Sequence, residues 1–163
     1  CYEYGLINGK IKEDRNTKPI CSLGIAKNNL RNYVQNLQLK YKFKLTWVRL
    51  FYIYGINPNR NTLTNLLVKN NKKNPIILNV KIKRDYVNIN YVAKVFFKLF
   101  KKNKNFGPVN LCSGKSIPLK QLVSKIKMKF KVNPYVVYKN TIQRNFEPED
   151  FYGCNEKLKK IIQ

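Results

Sequence analysis

An α/β fold is predicted by three features of the sequence. Residues 44–54 (KLTWVRLFYIY) form a dense run of β-branched and aromatic side chains closed by Gly55. Such a run reads as a strand buried on both faces, the kind found in parallel sheets. Just before it, Ile25, Leu30, Val34, Leu37 and Tyr41 recur at helical spacing, with Lys, Asn and Gln between them. Strand-like and helix-like segments then alternate to the end of the chain, the pattern of layered α/β domains.

In order, residues 1–19 read as a loop punctuated by Gly5, Gly9, Glu13-Asp14 and Pro19. A helix is predicted over 22–41 and a strand over 44–54. Asn57-Pro58-Asn59 is a turn, and 62–70 a short helix. Residues 75–83 and 84–89 are extended. A helix over 91–101 places Val92, Val95, Phe96, Leu99 and Phe100 on one face. Gly107-Pro108 breaks the chain before a short strand at 109–112. A helix over 116–130 turns Ile117, Leu122, Val123 and Ile126 inward. A short strand at 135–138 and a terminal helix at 155–162 complete the pattern. No internal repeat is present.

The chain has 163 residues, enough for one ordinary core, and is 44% hydrophobic, so it is not compositionally disordered. Its apolar runs fall short of the roughly 18 residues of a membrane span, and no signal peptide is visible. It begins at Cys1, at what reads as a strand-to-loop junction, so a fragment or interrupted reading frame is expected. With 33 Lys+Arg against 8 Asp+Glu, the formal charge is +25. That charge points either to a polyanion or anionic-surface partner or to a codon bias enriching Lys, Asn, Ile, Tyr and Phe. The lysines are spread along the whole chain rather than clustered, which favours the bias and argues against a specific nucleic-acid module. The four cysteines lie far apart, His is absent, and no metal site is expected. Reduced thiols in a cytoplasm are the expectation.

Four stretches in order then carry a resemblance. Tyr4-Gly5, residues 19–31 (PICSLGIAKNNLR), residues 49–55 (RLFYIYG) and Arg84-Asp85-Tyr86-Val87 match, with NLCSG at 110–114 fitting the strand and turn that follow. Together they resemble the NAD-dependent epimerase/dehydratase family of nucleotide-sugar enzymes, extended short-chain dehydrogenases, and among them bacterial 4-ketoreductases and dehydratases of surface-polysaccharide synthesis. The resemblance implies the C-terminal part of a Rossmann-type NAD(P)-binding fold with a small α/β substrate-binding lobe. Residues 1–56 would then close the Rossmann-type domain and 57–163 would form mainly the substrate lobe.

The same resemblance implies roles. The 19–31 match is the family's P-x-x-x-Y-G-x-x-K helix start, in which a Tyr phenol exchanges a proton at the sugar C4 hydroxyl. The Lys one turn later lowers that phenol's pKa from about 10 toward neutrality and binds the nicotinamide ribose. Here Lys27 stands at the Lys position, as a catalytic and cofactor-binding residue, and Leu23 stands at the Tyr position. Phe51 and Tyr52 are implied at the cofactor edge, Tyr52 also at the substrate, where Asn is frequent. Arg84 and Arg144 are implied as diphosphate ligands, a role suited to guanidinium forks. The Gly-rich phosphate loop of the family is missing from the sequence.

The expected function is thus NAD- or NADP-dependent chemistry at C4 of a nucleotide sugar, in a truncated form made incompetent by Leu23. Two alternatives stand beside it: a basic module for nucleic acid or an anionic surface, and a non-catalytic partner that forms a homodimer or pairs with an intact homologue.

Overall fold

The residues flanking Phe51 tie the molecule together. In the computed structural model, which describes residues 1–57, 59, 61–70, 72–141, 145 and 148–163, the predicted strand changes partner at this point. The Phe51 N–H donates to the Leu111 carbonyl and the Tyr52 N–H to the Asp85 carbonyl, each at 3.1 Å.

The chain opens with a 3₁₀ turn at Tyr2–Tyr4, followed by β1 (Gly9–Ile11) and α1 (Ser22–Tyr41). The central segment forms β2 (Thr46–Leu50) and β3 (Tyr52–Tyr54). Then come α2 (Leu63–Lys69), β4 (Ile76–Asn79), β5 (Lys83–Arg84), β6 (Tyr86–Asn88) and α3 (Ile89–Lys102). β7 (Gly107–Leu111), β8 (Ile117–Pro118), α4 (Leu119–Phe130), β9 (Val136–Lys139), β10 (Asp150–Gly153) and α5 (Glu156–Ile162) complete the order.

Parallel pairing dominates. β2 lies beside β7, β3 beside β6 and β4 beside β9, while β1, β10, β5 and β8 form a four-stranded sheet in that order. Only the β5–β8 pair among these is antiparallel. The predicted α/β class and its parallel character are what the structure has. The helix ends follow local chemistry. Thr62 caps α2 by accepting from the Asn65 N–H at 3.2 Å, and Asn88 caps α3 by accepting from the Asn90 N–H at 2.9 Å. Lys42, Asn103 and Lys131 end α1, α3 and α4 in the left-handed conformation.

The helix expected over 116–130 begins only at Leu119, because Ile117–Pro118 pair with β5 as β8, and further expectations need correction. The loop read at 1–19 contains β1, which pairs with β10 from the far end of the chain. Gly107 and Pro108 lie inside β7 rather than before it. Phe96 and Phe100, assigned to the inner face of α3, are exposed; Val92, Val95 and Leu99 alone are buried on that helix.

Two apolar cores result. One gathers Tyr4, Phe51, Val87, Val95, Leu111 and Phe151 with their neighbours; the other centres on Leu67, Leu78, Leu122 and Ile126. The first core draws on β6, α3, β7, β10 and α5, all beyond residue 57. The expected division at 56/57 therefore does not follow the packing: the chain leaves the first core and returns to it. Among the described residues, no helix is long and apolar enough to cross a membrane, and no group of Cys, Asp and Glu could hold a metal ion.

Candidate functional site

The first turn of α1 is pressed against the 3₁₀ turn because residue 24 is glycine. A Cβ on Gly24 would stand 2.6 Å from the Tyr2 carbonyl oxygen, closer than real contacts allow. The Cys21 sulfur caps the helix, accepting from the Gly24 N–H at 3.4 Å. Gly5 acts in a related way, since its φ of 77° and its approach to the Lys18 carbonyl leave no room for a side chain. These two glycines fix where α1 begins.

From that start, Leu23 and Lys27 project one helical turn apart into the same cleft, of about 410 Å³, together with Tyr2, Trp47, Leu50 and Phe96. Leu23 is 56% exposed and Lys27 is exposed as well. The wall of the cleft is held by Glu3, which is buried. Its carboxylate accepts from Trp47 Nε1 at 2.8 Å and from Arg49 Nε at 3.1 Å, with Arg31 Nε at 3.4 Å. Burying a carboxylate is tolerable only with such partners.

Of the two nearby tyrosines, Tyr4 is closed off. Its hydroxyl donates to Asn110 Oδ1 at 2.7 Å and accepts from Arg49 Nη1 at 2.9 Å. Burial holds its pKa above the usual phenol value, against the opposing pull of the Arg49 guanidinium. Tyr2 instead borders the cleft. Its ring meets Tyr52 edge-on at 6.2 Å, and Tyr52 meets Tyr86 at 6.1 Å. The Arg84 guanidinium sits 5.3 Å from the centre of the Tyr52 ring. Tyr52 and Arg84 are thus together, and Tyr2 joins them to the Lys27 cleft.

Two expected roles do not fit the placement of the side chains. Arg84 is 1% exposed, and its guanidinium donates to the Lys83 and Glu149 carbonyls at 2.9 and 3.0 Å. So placed, it cannot reach a dissolved diphosphate. Phe51 is 3% exposed and stacks on Phe151 at 5.1 Å; its ring belongs to the core rather than a cofactor edge. Arg144 lies outside the described residues.

Asp85, to which the sequence assigned no role, organises the turns below. Fully buried, it accepts from the Ser113 N–H at 2.6 Å, the Gly114 N–H at 3.0 Å and the Gly153 N–H at 3.2 Å. Burial raises its pKa above the ordinary carboxylate value, and the three N–H groups oppose that rise. Its neighbour in the Arg-Asp-Tyr-Val match was the available signal. The glycines with positive φ (Gly5, Gly9, Gly55, Gly107, Gly114) are scattered, Gly9 opening β1 and Gly107 opening β7, and form no phosphate cradle among the described residues.

Comparison with known proteins places this geometry. No curated protein matches the chain. Among similar solved structures is the UDP-N-acetylglucosamine 4-epimerase of Methanobrevibacter ruminantium M1, in complex with UDP-N-acetylmuramic acid. It has a TM-score of 0.82 at 20% identity, over 98% of this chain and 53% of that one. The UDP-glucuronic acid 4-epimerase of Bacillus cereus, in complex with UDP-glucuronic acid and NAD, gives 0.81 at 16%, over 99% and 52%. The UDP-glucose 4-epimerase of Thermus thermophilus, in complex with NAD, gives 0.78 at 17%, over 97% and 54%. The chain spans about half the length of these structures. The likeness shows a shared Rossmann-type α/β fold. The model of the NAD dependent epimerase/dehydratase family matches residues 1–112, well over half of the sequence, and the chain belongs to that family.

Proposed function

We propose that this chain carries the substrate side of an NAD(P)-dependent enzyme acting at C4 of a nucleotide sugar, corresponding to the C-terminal part of such an enzyme, and that it does not run the reaction by itself. The observation that carries the reading is the cleft in which Leu23 and Lys27 stand one helical turn apart beside Tyr2.

Lys27 is the residue suited to the ribose end of NAD(P): an exposed ammonium at the cleft wall, able to donate to ribose hydroxyls. Bound there, the cofactor would accept or return the C4 hydride. The diphosphate of the cofactor has no glycine cradle among the described residues, so this chain holds one end of it at most. Leu23 offers an isobutyl group where the proton must move. The missing acid–base step is typically worth about 10²–10⁴ in rate. Tyr52 presents an aromatic face toward Tyr2 and suits stacking on a sugar or base. Arg84 serves by holding Tyr52 and the Glu149 carbonyl.

The test has two parts. Incubation with NAD⁺ and UDP-glucose, UDP-N-acetylglucosamine or UDP-glucuronic acid is expected to give no C4 epimer or oxidised sugar by NMR; turnover by the unaided chain would refute the reading. In the Leu23→Tyr variant, the new phenol is expected to titrate below the usual value of about 10 by ultraviolet difference spectroscopy, because the Lys27 charge favours phenolate. A new phenol titrating at or above that value would separate Lys27 from the site.

A further inference from the structure

We propose that Asn8-Gly9 is a self-modifying site, at which the fold promotes conversion of the asparagine to a succinimide and then to aspartate or isoaspartate, loosening β1. This chemistry is independent of the nucleotide-sugar reading.

The sequence is rich in asparagine but has a single Asn-Gly step. In such a step the glycine nitrogen can attack the asparagine Cγ and close a succinimide ring. A Cβ on the second residue would crowd that nitrogen, and glycine has none. Asn8 is exposed. A Cβ built on Gly9 would meet nothing within 4 Å, so the space about the step is open.

The structure adds what a free peptide lacks. Asn8 Oδ1 accepts from the Glu149 N–H at 3.0 Å and from the Asp150 N–H at 3.2 Å. Attack on Cγ moves negative charge onto this oxygen, and fixed donors aimed at such an oxygen stabilise the transition state. At the other end of the carboxamide, Nδ2 has no hydrogen-bond partner among the described residues and is free to leave. Residues two apart in a strand send their backbone groups to the same side. The Ile11 carbonyl accepts from the Cys154 N–H at 2.7 Å, so the Gly9 N–H also faces β10. An acceptor there fixes the nitrogen and polarises its N–H, while the electron pair above the amide plane stays available for attack. The charge of +25 favours each anionic species along the way.

The atoms balance without a redox partner. Hydroxide removes the Gly9 amide proton, the N–Cγ bond forms, the Cγ–Nδ2 bond breaks, and Nδ2 leaves as ammonia with a proton from water. Water then opens the ring. Addition at Cγ gives aspartate; addition at the Asn8 main-chain carbonyl gives isoaspartate.

The consequence reaches the interior. Isoaspartate routes the main chain through the former side chain and adds a methylene just ahead of β1. The register of Gly9 with Phe151, Lys10 with Tyr152 and Ile11 with Gly153 cannot then be kept together with the hold on the 149 and 150 amides. β1 is the end strand of its sheet, paired among the described strands with β10 alone. Its Ile11 carbonyl also accepts from Asn110 Nδ2 at 3.0 Å, and Asn110 Oδ1 accepts from the Tyr4 hydroxyl at 2.7 Å. Loosening β1 therefore slackens the support of the Tyr2–Tyr4 turn beside the cleft.

The experiment incubates the full chain in mildly alkaline heavy-oxygen water at physiological temperature and locates aspartate, isoaspartate and incorporated label by peptide mapping. Conversion is expected at Asn8 ahead of every other asparagine. It should be at least about tenfold faster in the native chain than in the same chain unfolded in guanidinium chloride, where the two donors are lost. Asn8→Gln keeps an acceptor oxygen but would have to close a larger ring, and should stay unmodified with its Ile11 amide protected from exchange. In the modified native chain the Ile11 amide should exchange faster than before modification. Asn8 converting no faster folded than unfolded would overturn the inference. So would earlier conversion at another asparagine, or an Ile11 amide equally protected before and after modification.

Discussion

Asp85 places a carboxylate with no solvent exposure against three backbone N–H groups, two from the 113–114 turn and one from the end of β10. Asparagine at this position keeps the shape but points donors at some of those N–H groups. Asp85→Asn is expected to lower the folding free energy by about 1–3 kcal/mol at neutral pH, read from urea denaturation. The pH dependence has a definite sign. A carboxyl raised in the folded state by burial contributes stability that is fully present below its unfolded pKa and is lost as pH rises through the folded value. Across mildly acidic pH, the urea midpoint of the native chain should therefore carry a component that falls with rising pH, absent from Asp85→Asn. The same motif shows the limit of reading residues from sequence. The spacing of Leu23 and Lys27 sufficed to put them in one cleft, because residues four apart share a helix face. Burial had no such local signal. Arg84 was legible as a guanidinium in a matched motif, yet only the fold reveals that the 83 and 149 carbonyls engage it.

Elements whose periodicity is local were legible to the residue or nearly so: α1 spans Ser22–Tyr41 as read, and α2 and α5 fall within one residue of expectation at each end. β1 and β10 were missed for the opposite reason. Each has three or four residues, each contains a glycine, and their pairing joins Gly9 to Phe151 across nearly the whole chain. Phe96 and Phe100 were misplaced because they continue the helical spacing of Val92, Val95 and Leu99 while lying beyond the covered face. The start of α1 depends on a missing side chain. In Gly24→Val, the Cβ meets the Tyr2 carbonyl oxygen, a backbone atom that cannot swing aside. That variant is expected to lose about 1–3 kcal/mol, as overpacked sites do. Amide exchange should accelerate first in the Tyr2–Tyr4 turn and the opening turn of α1.

Over the whole molecule, a charge of +25 on 163 residues sets how the protein meets other polymers. The cations occur in every α-helix rather than in one segment of the chain. Retention on heparin is therefore expected to be strong at low salt and to fall steeply as salt rises. Single Lys→Ala changes should each shift elution slightly, with none abolishing it. One substitution that eliminated binding would reveal a defined polyanion site.

The partner change at Phe51 and Tyr52 has a thermal consequence. β2 belongs to the first core, and Tyr54 at the end of β3 packs against the second. β6 does likewise, with Val87 in the first core and Tyr86 against the second, so neither core can melt without slackening segments that both employ. Despite two distinct hydrophobic centres, heating should give one endotherm, with calorimetric and van't Hoff enthalpies in agreement. Two resolved heat-absorption peaks would mean that the joint at this strand yields before either centre does.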